Sequence, residues 1–99
     1  MRHDGYTELC HAQFSYAQVQ PLKAYSETLA AKALKSCAKA IACDDAEIAR
    51  KHVPFEMQAL IYRHMGREEE AAVAEKNATT MKVFHEVQKK MGLPDPSKR

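Results

Sequence analysis

"QALIYRHMGREEEAAVAEKNA", residues 58–78, decides how this chain folds. Ala59 and Tyr62 lead up to Gly66, three glutamates follow it, and Ala71 and Ala78 stand seven residues apart. Glycine enters the left-handed backbone region without a Cβ penalty and so ends a helix. Carboxylates just beyond it meet the unpaired N–H groups of a new helix. The spelling predicts helix, reversal at Gly66, helix. Two helices joined so tightly run antiparallel, with small residues (Ala59, Ala71, Ala78) where the backbones approach and bulky ones (Phe55, Leu60, Tyr62) where gaps open. Tyr62, just before the turn, is placed to cover the start of the returning helix.

Outward from this hairpin the rest also reads as helix. Glycine is limited to three positions in 99 residues, and Ala, Glu, Lys, Gln and Met dominate. A first helix is expected from about Tyr6 to Val19 with an apolar stripe of Tyr6, Leu9, Cys10, Phe14 and Ala17, ending before Pro21. A second is expected from about Pro21 to Ala42, with Pro21 in its first turn and a stripe of Leu22, Tyr25, Leu29, Ala33, Cys37, Ala40 and Ile41. Asp44 and Asp45 are placed to cap a third helix running to Met65, kinked at Pro54, which lacks a backbone donor. The fourth starts at about Arg67 along the line Ala71, Ala74, Ala78, Met81, Phe84, Val87 and Met91, and stops at Lys89, Lys90, Gly92 and Pro94. The expectation is an all-α fold of four helices in two antiparallel hairpins (residues 6–42 and 45–91). They form one domain over residues 1–93, with a polar tail over residues 94–99.

A chain this short buries roughly 60–65% of its unfolded surface, and its many alanines contribute little area each. Thin layers are expected rather than a deep core. Fifteen basic against thirteen acidic residues leave a formal charge of +2, too weak a field to imply nucleic acid. No apolar run has the roughly 18 residues of a membrane span, and the opening residues lack a secretory apolar segment. A soluble cytoplasmic protein is expected, with no membrane or nucleic-acid partner. Three cysteines, an odd number inside helical patterns, fit buried reduced thiols.

The alternation of an aromatic (Phe55), a small residue (Ala59), an aromatic (Tyr62), a turn (Gly66) and two small residues (Ala71, Ala78) resembles a tetratricopeptide repeat. The likeness covers residues 52–85, and "LIYRHMGREEEAA" is similar to the longer repeats of kinesin light chains. Gln58 stands where leucine is usual, Glu75 where a large apolar residue is usual, and no proline follows near Val83. "SCAKAIACDD", with Ala33 and Ala40 seven apart, resembles the end of a preceding repeat. Repeats of this kind cannot bury both faces alone. The resemblance therefore implies a protein-interaction module, an adaptor or scaffold that takes a peptide or partner helix or associates with itself. It also implies that the first helix of the repeat lines the binding surface, nominating Glu56, Leu60, Arg63 and His64. Leu60 would give apolar contact, and Arg63 would hold an acidic group through paired hydrogen bonds.

Sites of other kinds are poorly supported. No phosphate loop, nucleophile elbow or paired catalytic carboxylates occur, so no enzymatic activity is expected. Of the five histidines, His11 stands with Glu8 at the i, i+3 spacing of helical di-metal sites, but a second such pair is missing. His3, Cys10 and His11 make a further candidate set, although neighbours on a helix diverge by about 100°. The alternative reading is a small four-helix bundle that binds a metal or cofactor through Cys and His; no cofactor is assigned. His52 and Glu56, four apart, read as an exposed pair, and Lys32, Lys35 and Lys39 as a hydrated face.

Overall fold

The computed structural model describes residues 2–43 and 46–92. Four α-helices form two hairpins: α1 (His3–Val19) with α2 (Lys23–Ala42), and α3 (Val53–His64) with α4 (Glu68–Met91). No strand occurs among the described residues. α3 packs against both helices of the first hairpin on one side and against α4 on the other. The expected caps at Asp44 and Asp45 and the tail over residues 94–99 lie outside the described residues.

The first hairpin turns where a proline forces it to. Gln20 is extended, with ψ 125°, ahead of Pro21, and α1 stops at Val19 as expected. Pro21 itself lies in the bend rather than in the first turn of α2, because Leu22 is also extended and the helix opens at Lys23. Reversing the chain takes these extra non-helical residues.

Along the α1–α2 seam the same strides recur on both arms. From Ala17 back to Phe14 and Cys10, and from Ala30 on to Ala33 and Cys37, the steps are three and then four residues, and all six side chains are buried in one cluster. This register brings Cys10 and Cys37 to the same level, with Cα atoms 5.4 Å apart and their sulfurs bonded in a disulfide. The expectation of three reduced thiols is corrected by this pairing, since two small thiols at opposed core positions fall within bonding reach. Cys43 is the free cysteine.

The buried face of α2 is also rotated from the expected one. Ser26, Ala30, Ala33, Ser36, Cys37 and Ala40 point inward, while Leu22 and Tyr25 are exposed. Small residues let α1 approach closely, and the large ones turn outward.

Pro54 stands in the first turn of α3, and the expected kink is absent. A 3₁₀ turn, Ile48–Arg50, occupies the segment before it. Starting the helix at the proline wastes no backbone hydrogen bond, whereas a mid-helix proline loses one and clashes with the preceding turn. Arg50 donates to Asp4 Oδ2 at 2.7 Å, tying this turn to the start of α1.

The reversal at Gly66 matches the expectation in detail. Gly66 has φ +76°, Arg67 N–H donates to the Tyr62 carbonyl at 2.8 Å, and Gly66 N–H donates to the Arg63 carbonyl at 3.0 Å. These two bonds are the paired closure of a Schellman motif. Ala59, Ala71, Ala74 and Ala78 are buried, and the Arg67 guanidinium lies over the Tyr62 ring, 5.1 Å from its centroid.

The expected apolar line of α4 divides. Ala71, Ala74, Ala78 and part-buried Met81 continue into His85 and Gln88, while Phe84, Val87 and Met91 are exposed. Six residues separate Ala78 from Phe84, a rotation of about 240° on a helix, so no one neighbour touches both. With 24 residues against 12 in α3, the second half of α4 runs past its hairpin partner.

A Cβ on Gly66 meets nothing within 4 Å, so Gly66→Ala is penalised only through its positive φ. The expected loss is about 1 kcal/mol, read as a lower urea midpoint with unchanged helicity. Replacing Cys10 and Cys37 together by alanine opens a loop of 27 residues' separation, and unfolding stability is expected to fall by about 3 kcal/mol.

Candidate functional site

Three of the four nominated residues, Glu56, Leu60 and Arg63, line one groove between α3 and α4, opposite Glu75, Thr79 and Lys82. Its volume is about 390 Å³, with Ala59 and Ala78 at its base. The two alanines are what let it exist: larger side chains there would fill the seam. Leu60 is 50% exposed at the middle of the α3 wall.

Ion pairs cross the groove at both ends. Lys82 Nζ bonds Glu56 Oε1 at one end, and at the other Arg63 Nη2 bonds Glu75 Oε1, with Arg63 Nε also 3.8 Å from Glu68. Seven residues up α3 from Glu56 to Arg63, and seven down α4 from Lys82 to Glu75, lead from the first pair to the second. Sequence reasoning missed both pairs, although this opposed spacing was a usable signal once the reversal was placed. It also accounts for Glu75, which stands where a large apolar residue was expected and here faces a guanidinium. Glu56, expected to pair with His52, pairs with Lys82 because the side chain projects across the seam.

His64 stands apart from the other three. It follows Arg63 by one residue and so points about 100° away, into the cleft between the hairpins with Gln20, Ser26 and Met65. Ser26 Oγ donates to the Ala17 carbonyl at 2.7 Å and lies 2.8 Å from His64 Nε2. A hydroxyl has one hydrogen, so Nε2 carries the proton in this second bond. The His64 ring meets Phe14 edge-on, with centroids 5.6 Å apart. His64 thus braces one hairpin against the other.

The other candidates are dispersed. Cys10 is consumed by its disulfide, which removes a sulfur from the His3, Cys10, His11 set. Among the described residues no three His, Cys, Asp or Glu side chains converge as a metal site would require. Lys39 lies over the Tyr6 ring, 5.8 Å from its centroid. No helix of the described residues is long and apolar enough to cross a membrane.

One carboxyl has a resolved electrostatic shift. Asp4 lies below the ordinary carboxylate range, held there first by its hydrogen bond with His3, which outweighs the opposing effect of burial, and further by the Arg50 guanidinium. A depressed folded-state value stabilises fully above the unfolded value near 3.8 and is lost as pH falls through the lowered one.

No family model, curated protein or solved structure matches this chain.

Asp4→Asn is expected to flatten the part of the acid unfolding curve below about pH 4 while leaving its neutral-pH shape intact. Ser26→Ala and His64→Ala are each expected to cost about 1 kcal/mol. Because they remove the same bond, the double variant should lose measurably less than the summed single losses in denaturant titrations.

Proposed function

We propose that this protein is a non-catalytic, tetratricopeptide-like interaction module whose α3–α4 groove receives a peptide or helix of a protein partner. The observation that carries this reading is the groove itself: an apolar centre at Leu60 on an alanine floor, bounded by opposite charges at each end. Such a slot suits a ligand with an apolar anchor and flanking polar groups.

Arg63 acts here by exchange. Its side chain is 41% exposed and already paired with Glu75, and an exposed pair of this kind contributes little to stability. A partner carboxylate that approaches the groove competes for a guanidinium already oriented, with Glu75 released to solvent.

A cytoplasmic place of action, proposed from the sequence, has to be consistent with the disulfide, since cytosolic reductants keep most thiols free. The Cys10 and Cys37 side chains are wholly buried, which limits attack by an external thiolate.

Leu60→Ala with Arg63→Ala, both at exposed positions, should leave far-UV helicity intact and weaken partner binding at least tenfold in titrations with a captured partner protein. Full affinity in the folded double variant overturns the assignment of this groove.

A further inference from the structure

The outer face of α4 carries a second pattern that neither the fold nor the groove uses. Val73, Asn77, Thr80, Phe84, Val87 and Met91 follow one another at alternating steps of four and three, the 3.5-residue period of a coiled-coil seam. All six are exposed, and four are large and apolar. The α3 side of the helix uses different residues, Ala71, Ala74 and Ala78, and the ligand groove opens on the far side of the α3–α4 seam. A hollow on the near side, between Gln58 and Tyr62 of α3 and Glu70, Val73, Ala74 and Asn77 of α4, lies beside this stripe.

Charge identifies the occupant. α4 begins with Glu68, Glu69 and Glu70 and ends with Lys89 and Lys90. A second α4 laid parallel would set glutamates against glutamates and lysines against lysines. Laid antiparallel, each acidic end meets a basic one.

Register then selects itself. With the helices fully overlapped, Val73 faces Phe84 of the second copy, Asn77 faces Thr80 of the second copy near the two-fold axis, and Glu69 lies beside Lys90 of the second copy. Apolar meets apolar at Val73 and Phe84, hydrogen-bonding groups meet each other, and opposite charges close both ends, while Val87 and Met91 fall opposite Glu70 and Gly66 of the second copy. Sliding by one heptad toward the C-terminus instead brings Val73 to Met91 of the second copy and Phe84 to Thr80, but it puts Lys76 beside Lys90 of the second copy, so charge decides between the two registers.

We propose that α4 is the seam of an antiparallel homodimer in which each copy seats Phe84 against Val73 of the other, at the hollow walled by Gln58 and Tyr62. This is an isologous contact, closed by its two-fold axis, and it gives the thin second hairpin its missing layer.

Sedimentation equilibrium of the full chain tests it, in a Cys43→Ser background so that an intermolecular disulfide does not supply the dimer. Mass is expected to rise from one copy to two with concentration and to stop there. Phe84→Glu should raise the dissociation constant at least roughly 30-fold with unchanged helicity, since the residue is exposed. Glu69→Lys and Lys90→Glu should each weaken the dimer several-fold, and the two together should restore it. Should Phe84→Glu lose helicity, the charge pair, fully on the surface, decides alone. A single-copy mass at every concentration up to about 1 mM, a dimer indifferent to these changes, or failure of the double charge exchange to restore it overturns the proposal. The groove reading is tested separately, because Leu60→Ala with Arg63→Ala leaves this mass unchanged.

Discussion

α3 is the element on which the rest depends, because it is packed on two sides. One side sends Met57 and Ile61 into the cluster with Cys10, Phe14 and Cys37, and another brings Ala59 to the alanines of α4. Ile61 heads the largest side chains that are fully buried, followed by Pro54, Cys10 and Cys37. A core without a wholly buried aromatic draws on close backbone approach more than on area per side chain. The covalent link between α1 and α2 acts in the same direction, restricting the unfolded chain where the folded one has little apolar area to bury.

The groove follows from that economy. Alanines at the α3–α4 seam hold the backbones close, so the longer side chains on the rim must project outward and across. There Glu56 finds Lys82 and Arg63 finds Glu75. The charges that frame the site are thus a by-product of the same spacing that packs the hairpin. His64, one residue on from Arg63, serves the other joint of the molecule through Ser26 and Phe14. Site and scaffold share a single short helix, and the helical rotation between successive residues separates their duties.

α4 exceeds its partner by half its length, and the surplus explains the molecule's elongated outline of 49 × 28 × 17 Å. Beyond the start of α3 the 3₁₀ turn accompanies it. Phe84, Val87 and Met91 are therefore left on an outer face, with charges of opposite sign at the two ends of the helix.

Local chemistry was enough to determine the helical class, the reversal at Gly66, the burial of Ala59, Ala71 and Ala78, and the stops at Val19 and Gly92. Backbone conformation and helix-end electrostatics act within a few residues, and sequence neighbours carry that information. Tertiary packing decided which stripe of α2 faces inward, where α3 begins, how α4 divides its apolar residues, and that Cys10 meets Cys37. Each of these depends on the rotation and level of one helix against another, set by side chains far away in the chain. The same holds at the site: Glu56, Leu60 and Arg63 were legible as one face of a helix, but the basic and acidic partners waiting across the groove, and the departure of His64 to another joint, were fixed only when two helices met.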